Sequence, residues 1–445
     1  MNQTDSQFTA KKPIHSRFYR LFLHTVLMVR VTMGVTVITS VYAEENKITK
    51  VNQSSTLTLF EAIQRTFSNH PDLQGFKHQI EAQQGRVIQA NLSPKPEVEL
   101  TLEDALGSGN FSGFDSAQTT LSVSWVLDQG LKEKRGELAS RGTRLIESER
   151  AIKQLDAATQ TARYYLMALS FQERQVIAKR SIALAETTVI EIKQRVKVGK
   201  TPLAERYRAE AELAKRRLVL VDLEHELKTS LHQLAAQWGN TTPKFNSVSG
   251  ALLTPPKVIS FEALKKQISH NPELARYLSL ERVKKAELNL AKQQREPLWK
   301  FTTGVRRYER TDDFGIVAGI SIPFGGSNRN QGRIAEVSAK LSQNQSEADA
   351  LRIRLETSVF IVYQQLEHSF HLSDMLALEI IPRLEKALKE THQAYELGKY
   401  SYLDWLAVQN ELLDAQSALL EASLSAHINK IELERLTGTQ ITSPF

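Results

Sequence analysis

The sequence predicts a mainly α-helical chain with some β structure, internally duplicated. Each half carries long coiled-coil helices and a pair of strands, and several copies pool those strands into a transmembrane β-barrel. Three observations predict this: short motifs that recur about two hundred residues on, long helical stretches almost free of proline, and four segments of period-two hydrophobicity.

The recurrence comes first. Asn69-His70-Pro71-Asp72-Leu73 returns 201 residues on as His270-Asn271-Pro272-Glu273-Leu274, whereas Val198-Gly199-Lys200 returns as Leu397-Gly398-Lys399 and Trp238-Gly239 as Thr437-Gly438, both 199 on. Leu213, Leu220, Leu227 and Leu234 are spaced by seven and map onto Leu412, Leu419, Ala426 and Leu433, a heptad seam in register between halves. The first repeat therefore spans residues 57–240 and the second 258–439. Between them, residues 241–257 turn to Thr, Ser, Gly and Pro, a linker in which neither helix nor strand is expected to persist, and residues 440–445 form a tail.

Each half opens with an expected helix, Leu57 to Leu92 and Phe261 to Arg295, closed by Pro94 and Pro96 or by Pro297. Hairpins follow at 97–126 and 298–323, expected to supply four strands of about ten residues each. Long helices over 130–198 and 328–397 come next, the second containing Pro382, and helices over 202–238 and 401–436 complete the halves. A helix over residues 130–198 is roughly 100 Å long at about 1.5 Å per residue. No globular core covers that length, so it must pack in a coiled coil or tube.

The strands show one dry and one wet face. Val98, Leu100 and Leu102 alternate with Glu97, Glu99, Thr101 and Glu103, and Leu121, Val123 and Trp125 with Thr120, Ser122 and Ser124. In the second half Trp299, Phe301, Val305, Ile316, Ile320 and Ile322 hold the apolar side. About ten residues suffice for a tilted strand to cross a bilayer, and Trp125, Trp299 and Phe324 suit an interfacial girdle. Four strands cannot close a barrel and an open edge is not tolerated in lipid, so several chains are required.

Residues 1–43 read as a signal peptide. Lys11, Lys12, Arg17 and Arg20 precede an apolar-rich stretch broken by His24 and Arg30, and Val41-Tyr42-Ala43 places cleavage after Ala43. The leader carries +4 of the formal net charge of +7, so the mature chain gives little reason to expect nucleic-acid binding. Cysteine is absent, which excludes disulfides, thiolate metal sites and a lipid-bearing cysteine.

In this order of elements the chain resembles the TolC-like outer-membrane efflux family, from about Leu57 to Gly438. The segment Ala394-Tyr395-Glu396-Leu397-Gly398-Lys399-Tyr400-Ser401-Tyr402-Leu403-Asp404 looks like that family's second tip. Leu92-Ser93-Pro94-Lys95-Pro96-Glu97 through Asp104, with Gly107-Ser108-Gly109 and Gly113-Phe114-Asp115, is similar to the CzcC branch for cobalt, zinc and cadmium efflux. Asp128-Gln129-Gly130-Leu131-Lys132-Glu133-Lys134-Arg135 departs from that branch's usual Gly-Gly-Lys-Arg turn.

The resemblance implies a homotrimer with a twelve-stranded barrel in outer-membrane lipid and a periplasmic α-barrel, in a Gram-negative type envelope. It implies a passive exit duct of a tripartite system, joined to a periplasmic adaptor and an inner-membrane pump, in this branch a proton-driven cation exporter. Tip turns and adaptor contacts fall on Arg195, Val198, Gly199, Lys200, Thr201, Leu397, Gly398, Lys399 and Tyr400. The periplasmic gate falls on Tyr395 paired with Glu205, and on Asp404, whose ring of like charges would select cations; Ala407 stands where a second aspartate can occur.

No catalytic signature is found: no His-Glu-x-x-His, phosphate loop or dinucleotide fingerprint. His368 and His371, or His225 and His232, share helix faces without a third ligand and read as solvated, so neither metal nor cofactor is expected. Two other readings stay open, a duct for protein secretion or organic compounds, and a soluble periplasmic scaffold or adaptor.

Overall fold

The computed structural model describes residues 56–441 apart from 258 and 326–328. The signal-peptide reading of 1–43, the repeat start at 258, the helix start at 328 and the end of the tail lie outside the described residues.

Strand β1 (Thr56–Leu57) leads into α1 (Leu59–Asn69), which opens with a capping box: Thr58 Oγ1 accepts from Glu61 N and the Glu61 carboxylate from Thr58 N. The next helix is α2 (Pro71–Ala90). The single opening helix expected in each half is corrected here, and proline is the reason. Pro71 and Pro272 stand at the first helical position, where a missing N–H costs nothing, but each forces the residue before it out of helical geometry. His70 and Asn271 are accordingly extended, and their side chains accept from Asp72 N and Glu273 N as fresh caps. The second half therefore reads α5 (Phe261–Gln267), a single tight turn (Ile268–His270) and α6 (Pro272–Gln293).

Strands β2 (Glu97–Glu103), β3 (Gln118–Leu127), β5 (Trp299–Tyr308) and β6 (Asp313–Ser321) form one antiparallel sheet in the order β2-β3-β5-β6. The two hairpins join through β3 and β5, with Leu121 opposite Val305 and Trp125 opposite Phe301. Strand β2 is shorter than expected because Asp104 and Leu106 take left-handed backbone angles that end the pairing. Ile322 lies one residue beyond β6, just before Pro323, and is not a strand residue.

Helix α3 (Leu131–Lys197) runs unbroken for 67 residues, and α4 (Leu203–Ala236) returns along it. In the second half α7 (Gln331–Met375) passes through a wide π turn (Leu376–Ile380) into α8 (Ile381–Glu396), and α9 (Tyr402–Thr437) returns. Pro382 has no N–H for the usual bond four residues back; the wide turn directly before it accommodates that loss, so the helix continues past a proline.

The stretch 241–257, expected to hold no regular structure, contains β4 (Ser247–Val248), paired in parallel with β1. Two residues pair because the helices pin them. Gln172 accepts from Val248 N and donates to its carbonyl, and the buried Tyr165 hydroxyl donates to Leu57 O at 3.0 Å. Around this clasp Leu57, Ile63, Leu166, Leu169, Leu234, Phe245, Leu252 and Ile431 form a core. A second core gathers Leu264, Leu274, Leu355, Leu366, Leu433 and Leu436 in the second repeat, and a third lies near the tips.

Candidate functional site

Two regions hold the candidate residues: the tips of the long helix pairs and the four-stranded sheet. Each tip is a glycine turn of the same design. Gly199 (φ +74°) and Gly398 (φ +73°) take the left-handed conformation, Lys200 N donates to Arg195 O and Lys399 N to Ala394 O, both at 2.9 Å. This bonding satisfies carbonyls left over at a helix end and reverses the chain. Val198, Leu397 and Tyr400 are exposed apolar residues on these turns, flanked by exposed Lys200 and Lys399. Thr201, expected at the surface, is buried and accepts from Arg195 Nε.

The gate residues are arranged differently from expectation. Tyr395 is only 3 % exposed, stacked on Trp405 at 5.2 Å and with the Arg195 guanidinium 4.5 Å from its ring centre. Its hydroxyl lies beside Thr201 without a well-formed hydrogen bond, and burial pushes its pKa up. Within the chain Tyr395 makes no hydrogen bond to Glu205: its ring packs against Trp405 and the Arg195 guanidinium, and half-buried Glu205 acts on it through charge. Asp404 closes a capping box at the start of α9, accepting from Ser401 N at 2.9 Å and from Ser401 Oγ at 2.7 Å while Ser401 Oγ accepts from Asp404 N. The Ser401 hydroxyl is the main reason its pKa falls below the ordinary carboxylate value.

Several residues of this region were missed from the sequence. Tyr402, Trp405 and Gln409 follow one face of α9 at spacings of three and four, the helical signal that would have found them, and all are buried. Burial, with Glu212 next in effect, pushes the Tyr402 hydroxyl up to about 12. Arg216, 6 % exposed, joins three helices: it meets Glu212 on its own helix α4, donates to Ser181 O of α3 at 3.1 Å, and reaches Gln409 Oε1 of α9 at 3.1 Å. These charge-assisted hydrogen bonds tie the three helices together at this level.

The sheet is inverted relative to a soluble one. Val98 is 72 % exposed, Leu100 71 % and Ile316 86 %; Leu102, Leu121, Trp125, Trp299, Val305 and Ile320 are also exposed, with Val123 and Phe301 half-buried on the same side. Opposite partners of an antiparallel ladder share a face, so Leu100, Leu121, Val305 and Ile316 form one continuous apolar row. The other face is polar and internally bonded: Arg306 reaches Thr120, Gln118 and Glu103, and Lys300 meets Glu97 at 2.7 Å, while Thr120, Ser122 and Ser124 are buried. Among the described residues no helix is long and apolar enough to cross a membrane.

Comparison with known proteins agrees with this architecture. The family model for outer membrane efflux proteins matches residues 62–240 and 265–439, once per repeat. The cobalt-zinc-cadmium resistance protein CzcC of Cupriavidus metallidurans is 25 % identical over 382 residues, covering 86 % of this chain and 90 % of its own. The crystal structure of CusC superposes with a TM-score of 0.70 at 15 % identity, covering 87 % of this chain and 94 % of that one. The outer membrane protein VceC of Vibrio cholerae gives 0.67 at 16 %, over 86 % and 97 %. Duplicated helix pairs, strands for a shared barrel and a family match across both repeats lead to one conclusion: the chain belongs to the outer membrane efflux protein family and is an efflux channel of the outer membrane with a periplasmic extension.

Proposed function

We propose that three copies of this chain form a passive exit duct for divalent heavy-metal cations, fed by an inner-membrane, proton-driven cation exporter through a periplasmic adaptor. The observation that carries the duct is the inverted sheet, apolar outside and polar within, whose terminal strands β2 and β6 each keep one unpaired edge among the described residues. Three such sheets supply a twelve-stranded barrel without exposed edges. The cation class rests on the relationship to the cobalt-zinc-cadmium resistance protein along most of both chains.

In this reading the lipid-facing residues are Val98, Leu100, Leu102, Leu121, Val123, Trp125, Trp299, Phe301, Val305, Ile316 and Ile320. Val198, Leu397 and Tyr400 meet the adaptor, and Asp404 from three chains forms the charged ring of the mouth. The boundaries 57–240 and 258–439 divide each subunit into its two repeats. Nothing in the duct calls for chemistry on the solute, so the driving energy belongs to the pump.

Conductance of the purified channel in a planar bilayer tests the duct: a pore is expected, with cation preference reduced in Asp404→Ala. A protein that inserts without conducting overturns it. Deleting the gene should lower tolerance to cobalt, zinc or cadmium. Unchanged metal tolerance with lost tolerance to dyes and detergents would transfer the assignment to organic export.

A further inference from the structure

Among the described residues one group of metal-ligating side chains converges in space: Glu191, His392 and Glu396, whose donor atoms all lie within 4.8 Å of one another. His392 Nε2 is 3.0 Å from a Glu191 carboxylate oxygen. We propose that these three residues form a binding site for a divalent transition-metal cation such as zinc or cobalt, joining the two repeats beside the tips. The inference goes beyond the export reading and does not depend on which solute the channel carries.

The helical geometry favours it. His392 and Glu396 stand four apart on α8, the spacing that places two side chains on one helix face, and Glu191 approaches from α3. Metal-to-ligand distances of about 2.0–2.2 Å put donor atoms roughly 3.3 Å apart in a tetrahedral site, within reach by rotation of carboxylates that are half-buried or exposed. The imidazole is already oriented. Trp405 packs against it at 4.5 Å between ring centres, and Trp405 is itself held by the buried Tyr395 ring.

The donor set selects the ion. One imidazole nitrogen and two carboxylates suit zinc, cobalt or nickel; the absence of sulfur argues against copper(I), and a nitrogen donor is foreign to magnesium and calcium. Two carboxylates balance a divalent charge. The Arg195 guanidinium, which reaches this helix end, is engaged by the Tyr395 ring, the Thr201 hydroxyl and the Glu396 carbonyl. Three protein ligands leave a coordination position open, so the ion would exchange with its surroundings.

The position gives the site a consequence. Glu191 lies about two turns before Gly199, and Glu396 lies within one turn of Gly398. A bound cation therefore ties the first repeat to the second at the level where both tips turn.

The test uses the purified full-length channel, stripped of metal, with zinc as the stabilising ligand and cobalt(II) as the spectroscopic probe. Wild-type protein is expected to bind one ion per chain, to develop visible ligand-field absorption with cobalt and to melt at a higher temperature with zinc. His392→Ala and the isosteric Glu396→Gln should weaken binding by about tenfold or more, at least the loss seen when a supporting group is removed. His368→Ala, which removes an exposed histidine on another helix, should bind as wild type does. Because Glu396 is exposed, its substitution leaves the fold intact and keeps the result readable if His392→Ala is unstable. Binding undiminished in both ligand variants, equal loss in His368→Ala, or no binding by wild type would overturn the site. The metal-tolerance experiment is separate, so failure of this site and failure of the export reading are told apart.

Discussion

Tyr402 shows how a single side chain reports on the packing at the tips. Its side chain is buried in one core cluster with Trp405 and Tyr395, and its hydroxyl feels the negative charge of Glu212, so removing its proton is opposed by burial first and by repulsion second. The pKa of about 12 compares with about 10 for a tyrosine in an unfolded chain. Between those values the unfolded chain has released this proton and the folded chain has not. The stabilisation from Tyr402 is thus complete below about pH 10 and is lost as the pH rises towards 12. Ultraviolet titration of the folded channel should show that Tyr402→Phe removes a phenolate component appearing only near pH 12. The alkaline decline in melting temperature should be shallower in that variant. Loss instead of a component titrating near pH 10 would mean that the ring is open to water. Tyr395 beside it is raised for the same primary reason, whereas Asp404 is held low by the Ser401 hydroxyl. Neutral aromatic groups and an ionised cap therefore coexist at one helix tip.

At the scale of the elements, recurring motifs that are far apart in the chain turn out to be halves of one contact. Gly239 packs beside Asn69 and Pro71, and Gly438 packs beside His270 and Asn271, whose side-chain amide also donates to Leu436 O. In each repeat the end of the last helix closes on the proline break of the first. The two glycines differ in tolerance. A Cβ on Gly438 would stand 2.5 Å from His270 O and 2.7 Å from Asn271 Cα, both backbone atoms, whereas on Gly239 the nearest atom is 3.8 Å away. Both have positive φ, a cost of about 1–3 kcal/mol for a residue with a side chain. Gly438→Ala adds overpacking of about 1–3 kcal/mol, so it should lower the melting temperature clearly more than Gly239→Ala. Equal losses would show that conformation alone sets the cost. This contact also marks what the sequence displays and what it hides. Pro71, Pro272, Gly199 and Gly398 act through their own backbone and are legible from local pattern, as is the alternation of Leu121, Val123 and Trp125. The inward turn of Tyr395, the pairing of Ser247 with Thr56 and the meeting of Glu191 with His392 depend on which segment arrives from a distance. No local window contains that partner.

At the scale of the whole molecule the sheet sets the assembly. Going from β2 to β3, β5 and β6, each strand is antiparallel to the last, so β6 runs opposite to β2. In the proposed ring the β6 edge of one copy would therefore meet the β2 edge of the next in the same antiparallel sense that operates inside the chain. A closed ring then has no parallel seam, as outer-membrane barrels require. The absence of cysteine makes the seam open to direct test, because any introduced pair is the only pair in the protein. Thr101 of β2 lies on the polar face, as do Gly315, Val317 and Gly319 of β6. Thr101→Cys combined in turn with Gly315→Cys, Val317→Cys and Gly319→Cys samples the register of the seam. Cβ atoms directly opposite across strands lie about 4.5–5.5 Å apart, near enough for a disulfide with slight adjustment. One of the three combinations should yield a covalent trimer on mild oxidation in the membrane and return to single chains on reduction. The single-cysteine variants should give none. Crosslinked dimers without trimers, or crosslinking independent of the β6 position, would mean that the edges do not meet in a closed ring, and the barrel would have to be built on another symmetry.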